Sequence, residues 1–173
     1  MVGCCEGDKK KDELRNQFNN NPSSPTALLE AILEEWKTDS HIEFNKLDVS
    51  SQETPKLHAK YLDMYSDAKL RLKDAEFKQK VLLKDKYLYY NGKMSQEELA
   101  EKGWEPDPFN GLKILKGEME YYYDSDPEIQ KSEEKIQYYK TVIETLTEII
   151  NNLNWRHQTI GNMIKWKQFE SGN

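Results

Sequence analysis

The sequence predicts an all-α protein built from long amphipathic helices. Apolar residues recur at helical spacing in two long stretches, residues 61–82 and 129–153, and neither stretch contains proline or glycine. Charged residues make up 32% of the chain, which leaves little material for a large core. We therefore expect the helices to complete their burial against other subunits.

The first 25 residues are predicted to be a disordered polar extension. They end in the low-complexity run NQFNNNPSSP, which cannot bury apolar surface. Cys4 and Cys5 are adjacent and have neither a disulfide framework nor metal-ligand spacing, so their role is open. Ser24 and Pro25 suit an N-cap and a first helical residue, and a short amphipathic helix is predicted over 26–38.

The second predicted helix is long and covers residues 55–90. Thr54 and Pro55 are assigned as its cap and first residue, and Asn91-Gly92 as its left-handed end. Its apolar seam consists of Tyr61, Tyr65, Ala68, Leu72, Ala75 and Leu82. The alternative for the run YLYYNGK is a strand and hairpin turn, because Tyr and Asn-Gly favour that structure.

Shorter elements follow. Ser95 and Glu98 form a capping box for a helix over 96–102 that Gly103 closes. Residues 104–111 are predicted to be a loop from their proline and glycine content, and 112–123 are ambiguous between helix and irregular structure.

The C-terminal helix carries the clearest pattern of the chain. It opens at Asp126-Pro127, and from Ile129 to Leu153 apolar positions alternate at spacings of three and four, which indicates helix–helix packing. The residues predicted to mediate oligomerisation are Ile136, Tyr139, Ile143, Leu146, Ile150 and Leu153. Pairing with the long helix of the same chain is the simplest use of this seam. Val142, Ile149 and Trp155 add apolar surface beyond it, which favours a homo-oligomer.

Positive charge is concentrated in one region. The chain has a formal net charge of −6, yet residues 56–93 hold ten Lys or Arg and five Asp or Glu, so that the remainder carries −11. On a helix Lys69, Lys73, Lys80 and Lys84 share a stripe about 60° wide, whereas Lys86 lies about 200° from Lys84. A localised anion-binding face is the expected consequence.

The tyrosines beside this charge point to single-stranded nucleic acid. Tyr87, Tyr89 and Tyr90 could stack on bases while lysines neutralise phosphates. The candidate DNA-binding residues are Lys80, Lys84, Lys86, Tyr90 and Lys93. Residues 26–111 are thus predicted to form a helical DNA-binding region and residues 112–173 a helical oligomerisation region. The alternative is a non-enzymatic scaffold or adaptor whose lysines only solubilise the long helix.

Signatures of enzymes are missing from the sequence. It has no phosphate-binding glycine motif, and His41, His58 and His157 form no metal-ligand cluster. We predict no enzymatic activity, no cofactor and no metal. The sequence also lacks an apolar run of membrane-spanning length and a secretory signal, so a cytosolic protein without a membrane partner is expected.

Several runs resemble one family. VLLKDKYLYYNGK, KGEMEYYYDSD followed by SEEKIQYYK, and the terminal FESG are together similar to the UvsY family, the recombination mediators of T-even-like bacteriophages. The resemblance covers roughly residues 26–173, and its DNA-binding motif maps onto Lys84 and Lys86. Here the second basic residue is Lys where that motif can have Arg, which loses bidentate phosphate geometry.

The resemblance implies a function as well as a fold. It implies a ring-like homo-oligomer, a hexamer or heptamer, that binds single-stranded DNA. Such a protein helps displace the phage single-stranded DNA-binding protein and loads the RecA-like recombinase UvsX. This activity would serve homologous recombination, recombination-dependent replication and repair in the cytoplasm of the infected host bacterium.

Overall fold

The computed structural model describes residues 27–111, 114–115 and 117–172, and within them the chain forms five α-helices and no strand. They are α1 (Ala27–Asp39), α2 (Leu47–Tyr90), α3 (Gln96–Lys102), α4 (Met119–Ser125) and α5 (Pro127–Glu170). The all-α prediction is confirmed. The predicted extension over 1–25, with its cysteine pair and the cap at Ser24 and Pro25, lies outside the described residues. Among the described helices, none combines the length and apolar character that crossing a membrane requires.

The chain divides into two compact units. In the described chain, the first unit contains residues 27–62 and 145–172, and the second contains residues 63–144 apart from the gaps. Helices α2 and α5 therefore each contribute to both units.

In the first unit, the buried Arg156 and the half-buried Lys60 contact the end of α1. The guanidinium of Arg156 on α5 donates to the carbonyl oxygens of Asp39 (3.2 Å), Ser40 (2.9 Å) and His41 (2.9 Å). The Asp39 carbonyl is the last of α1 and those of Ser40 and His41 follow it directly, so the cation lies at the negative end of the helix dipole. Lys60 on α2 adds ion pairs of 2.7 Å to both Glu35 and Asp39 of α1.

In the second unit, α2 and α5 pack antiparallel. Lys86 contacts Asp126 just before α5, whereas Arg71, earlier on α2, bonds to Tyr139, later on α5. Ala68 and Ala75 are buried on α2 at the spacing of the predicted seam, and their small side chains let the two helices approach closely.

The predicted start of the long helix was wrong. Helix α2 begins at Leu47, so Pro55 lies inside the helix and Thr54, whose hydroxyl donates to the Ser50 carbonyl at 3.1 Å, is not its cap. Leu47 and Ser50 are buried, and this packing offsets the hydrogen bond that Pro55 cannot donate. Pro55 itself is exposed, so water can satisfy the carbonyl left free.

Local signals at the other helix ends are confirmed. After Tyr90 the chain turns through Gly92 at φ 63°, and Lys93 N donates to Leu88 O at 2.9 Å, which closes α2 as a helix instead of a hairpin. Helix α3 has the full capping box of Ser95 and Glu98 and ends at Gly103 with φ 68°. Within the ambiguous region, the described residues are helical from Met119.

The apolar seam of α5 follows a slightly different register from the predicted heptads. Ile136, Leu146 and Leu153 are buried as expected, but Val142 and Ile149 are buried where the pattern named Ile143 and Ile150. From Val142 to Leu153 the buried positions keep alternating spacings of four and three, so in this half of α5 the buried face is displaced by one residue from the predicted seam. Ile143 and Ile150 are half-buried, and so is Tyr139.

Candidate nucleic-acid interface

A stripe of exposed lysines runs along α2 in the second unit. Its members are Lys69, Lys73, Lys80 and Lys84, and each of them retains solvent exposure. The buried Ala75 lies about 180° round the helix from Lys84. Because the apolar seam faces the protein interior, the lysines on the opposite side of α2 face solvent. We call these four residues the lysine stripe.

The stripe is only partly neutralised by nearby carboxylates. Lys73 pairs with Glu76 on its own helix at 3.0 Å. Among the residues described, no carboxylate lies within 4.0 Å of Nζ of Lys80 or Lys84. Their charge is therefore available to an anion without first breaking an ion pair.

Lys93 and Tyr87 extend this cationic surface beyond the stripe. Lys93 is exposed, and its Nζ lies 5.8 Å from the centre of the Tyr87 ring. That ring is 45% exposed. Tyr87 is thus the tyrosine of this run with the most accessible ring face for a base.

Lys86 is placed differently from the other candidate residues. It is only 4% exposed, its Nζ lies 2.8 Å from Asp126 and 3.4 Å from Glu128, and the ring centre of Trp104 is 4.2 Å away. Trp104 in turn donates to Glu128 at 3.0 Å. The prediction that Lys86 contacts DNA stays a prediction, and such contact requires this ion pair to open.

Asp126 joins the end of α2 to the start of α5. Its Oδ2 accepts from Lys86 and from the Tyr90 hydroxyl at 2.5 Å, while its Oδ1 accepts the backbone N–H of Glu128 and Ile129. Burial alone would raise the pKa of Asp126. The hydrogen bonds from Lys86, Tyr90 and the Ile129 N–H outweigh burial, so its pKa is lowered and the carboxylate stays charged.

The ring of Tyr90 belongs to an aromatic cluster in the second unit. Its centre lies within 6.2 Å of the rings of Tyr89, Phe109, Tyr122 and Tyr123. Burial and the bond to Asp126 raise the pKa of its hydroxyl. Stacking of a base on Tyr90 is therefore possible only if this cluster rearranges.

One exposed aromatic residue was missed by the sequence analysis. Phe77 lies on α2 between Lys73 and Lys80, and it is 55% exposed. The signal was available, because residues four before and three after a helical position lie on the same face. We assigned aromatic function only to the tyrosine run.

The six predicted oligomerisation residues do not form one exposed surface. Ile136, Leu146 and Leu153 are already buried within the chain, so they are placed to support its own packing. Tyr139, Ile143 and Ile150 retain part of their surface. Within the described residues no group of His, Cys, Asp or Glu is arranged to hold a metal ion.

Comparisons with known proteins give the chain its family. Residues 35–173 match the profile of the family described as "Recombination, repair and ssDNA binding protein UvsY". The "Recombination protein uvsY" of Enterobacteria phage T4 is 25% identical over 144 residues, which is 83% of this chain and 98% of that protein.

Solved structures agree with this assignment. The bacteriophage T4 recombination mediator protein UvsY in lattice type II is 25% identical, with a TM-score of 0.69 over 83% of this chain and 98% of that one. Its lattice type IV form, at 23% identity, has the same fold with a TM-score of 0.70 over 82% and 98%. Because the family profile extends from α1 to the last residue, the chain belongs to the UvsY family of recombination, repair and single-stranded DNA-binding proteins.

Proposed function

We propose that this protein is a recombination mediator that binds single-stranded DNA through the lysine stripe. The observation that carries the proposal is the pair of accessible lysines, Lys80 and Lys84, that have no carboxylate partner among the described residues. The family description names single-stranded DNA binding, and the similar phage T4 protein is named a recombination mediator.

The proposed contacts are ionic and aromatic. Lys80, Lys84 and Lys93 would neutralise phosphates, and each contact would release condensed counterions, which drives binding at low salt. Lys86 and Tyr90 complete the predicted set. In the described conformation both side chains bind Asp126. We propose either that they contact DNA after their bonds to Asp126 break, or that they keep the end of α2 ordered beside the stripe.

Membership of the family supports the proposed mediator role. Bound to single-stranded DNA, the protein would help displace the phage single-stranded DNA-binding protein and load the RecA-like recombinase UvsX. It would perform no catalysis, and it would act in the cytoplasm of an infected bacterium during homologous recombination, recombination-dependent replication and repair.

Oligomerisation would turn weak contacts into firm binding. A few lysines on one chain bind weakly, but linked sites on a ring can raise overall affinity by about 10²–10⁴. We propose a homo-oligomer, a hexamer or heptamer, in which Tyr139, Ile143 and Ile150 complete their burial against other subunits. Ile136, Leu146 and Leu153 would support α5 from within the chain.

Fluorescence anisotropy with a labelled oligo(dT) over a salt series tests DNA binding. We expect log K to fall linearly with log salt, and Lys80→Ala/Lys84→Ala to weaken binding and reduce the slope by about 0.7 for each phosphate that is no longer neutralised. The matched control, Lys131→Ala/Lys135→Ala, removes two exposed lysines from α5. Equal weakening by both variants would indicate only a net-charge effect, and absence of binding at low salt would favour the scaffold function.

A further inference from the structure

An exposed aromatic ring lies beside the lysine stripe. Phe77 is 55% exposed, and the ammonium groups of Lys73 and Lys80 lie 5.1 and 5.9 Å from its ring centre. On the helix it is within about 20° of Lys84. The ring therefore lies along one edge of the stripe, with cations on its N-terminal and C-terminal sides.

Burial does not account for an aromatic residue at this position, because Phe77 is more than half exposed. Single exposed apolar residues are common on proteins. Here, however, Phe77 shares its face of α2 with Leu70, two turns earlier and 72% exposed, and with Val81, one turn later and 58% exposed. An apolar strip of three turns with the lysine stripe along one side indicates a surface that is covered by a ligand.

The chemistry of the strip fits an unpaired nucleic-acid strand. A flat ring offers a face for a base, and any base has a complementary face. Lysines on either side of the ring can contact the phosphates that precede and follow that base. A base in a duplex is already stacked and paired, so the ring favours single-stranded DNA.

A second copy of this chain fits the strip less well. A symmetric contact through it would place the two rows of lysines, with Lys80 and Lys84 unneutralised, against each other. Like charges at such an interface oppose association. A polyanion has the opposite charge and is favoured by the same row.

We propose that Phe77 is a base-stacking platform for single-stranded DNA, with Lys80 as a phosphate contact and Lys73 as a second one once phosphate replaces Glu76 as its partner. Tyr87 would be a second platform, about 15 Å further along the helix axis, with Lys93 beside its ring. This proposal rests on the proposed function. It adds to that function a residue that stacks on a base of any kind, so binding would depend on the presence of bases but not on their sequence.

The test separates stacking from charge and from hydrophobicity. Phe77→Leu keeps an apolar side chain without a ring, and Phe77→Trp keeps a ring. We expect the Leu variant to bind oligo(dT) at least ~5-fold more weakly, with an unchanged salt slope, and the Trp variant to bind like the parent protein. Tyr121→Ala, which removes a 75% exposed ring elsewhere in the second unit, should have no effect.

An abasic oligonucleotide provides the decisive comparison. On a strand with phosphates but no bases, the Leu variant and the parent protein should bind equally. Equal weakening on abasic and normal strands, or a Leu variant that binds oligo(dT) as well as the parent, would overturn the proposal. A change in oligomer mass caused by Phe77→Leu would also overturn it, since the strip would then be a contact between copies.

Failure of this proposal is distinguishable from failure of the proposed function. If Phe77→Leu has no effect while Lys80→Ala/Lys84→Ala weakens binding, only the stacking platform is wrong. If the parent protein binds no oligonucleotide at low salt, both are wrong. Thermal unfolding of each variant checks that the exposed substitutions leave the fold intact.

Discussion

At the scale of single residues, the ion pair of Lys86 and Asp126 in the second unit is notable because both partners are buried. Their side chains are only 6% and 5% exposed, and Asp126 also accepts the Tyr90 hydroxyl and two backbone N–H groups. Two opposite charges removed from water need such additional hydrogen bonds. Removal of either partner would leave an uncompensated charge in a poorly hydrated site.

We predict that Lys86→Ala lowers the free energy of unfolding by about 3–5 kcal/mol, because it leaves the Asp126 carboxylate buried and unpaired. Urea or thermal unfolding measures this change. Lys84→Ala, two residues away and accessible to solvent, is the control and should change stability by less than about 0.5 kcal/mol. Equal effects of the two substitutions would contradict the buried site.

A double substitution at the same site tests the proposed role of Lys86 in DNA binding. Lys86→Met/Asp126→Asn removes both charges together, and Asn can still cap α5, so it should be less destabilising than Lys86→Ala. If the double variant retains DNA affinity, Lys86 acts by ordering the end of α2. Weaker binding with a shallower salt slope would show that Lys86 contacts phosphate.

At the scale of helices, what the sequence could predict depends on the range of the interactions. The capping box of Ser95 and Glu98 and the turn at Gly92 involve residues a few positions apart, and both were predicted correctly. The opposite orientations of Lys84 and Lys86 also followed from about 100° per residue. The partner of Lys86 is forty positions away in sequence, and no local pattern in the sequence indicates that contact.

Helix α2 departs from its local signals at Pro55. We predict that Pro55→Ala stabilises the protein by about 1–3 kcal/mol, because proline in a helix interior costs about 3 kcal/mol relative to alanine. Part of this cost is offset because proline lowers the conformational entropy of the unfolded chain. Pro55 is exposed, so the substitution creates no cavity. Circular dichroism during thermal unfolding measures the effect. A lower midpoint for the alanine variant would show that α2 needs the proline at this position.

At the scale of the whole molecule, the sign of the charge changes between regions. The net charge is −6, although residues 56–93 carry an excess of five positive charges. A basic segment in an acidic chain limits non-specific attraction to polyanions and would restrict the proposed DNA binding to the lysine stripe. The acidic remainder would then be available to the proposed protein partners.

Assembly is the property of the whole molecule that the proposed function needs most. We predict that Ile150→Asp dissociates the oligomer and weakens binding to single-stranded DNA by about 10²–10⁴, because linked sites lose their high effective concentration. Ile150 is half-buried on α5, so an aspartate there can remain partly hydrated within a folded chain. Leu146→Asp would not separate these effects, because Leu146 is 0% exposed and its replacement would unfold the chain itself.

Analytical ultracentrifugation and anisotropy on the same samples test this link. Asn151→Asp is the matched control, since it adds the same charge at the neighbouring, exposed position of α5 and should change neither mass nor affinity. Circular dichroism confirms that the helices of the Ile150→Asp variant persist. An intact oligomer would show that α5 does not use Ile150 between subunits. Dissociation with full DNA affinity would show that one chain suffices to hold the strand, so avidity would not be the source of firm binding.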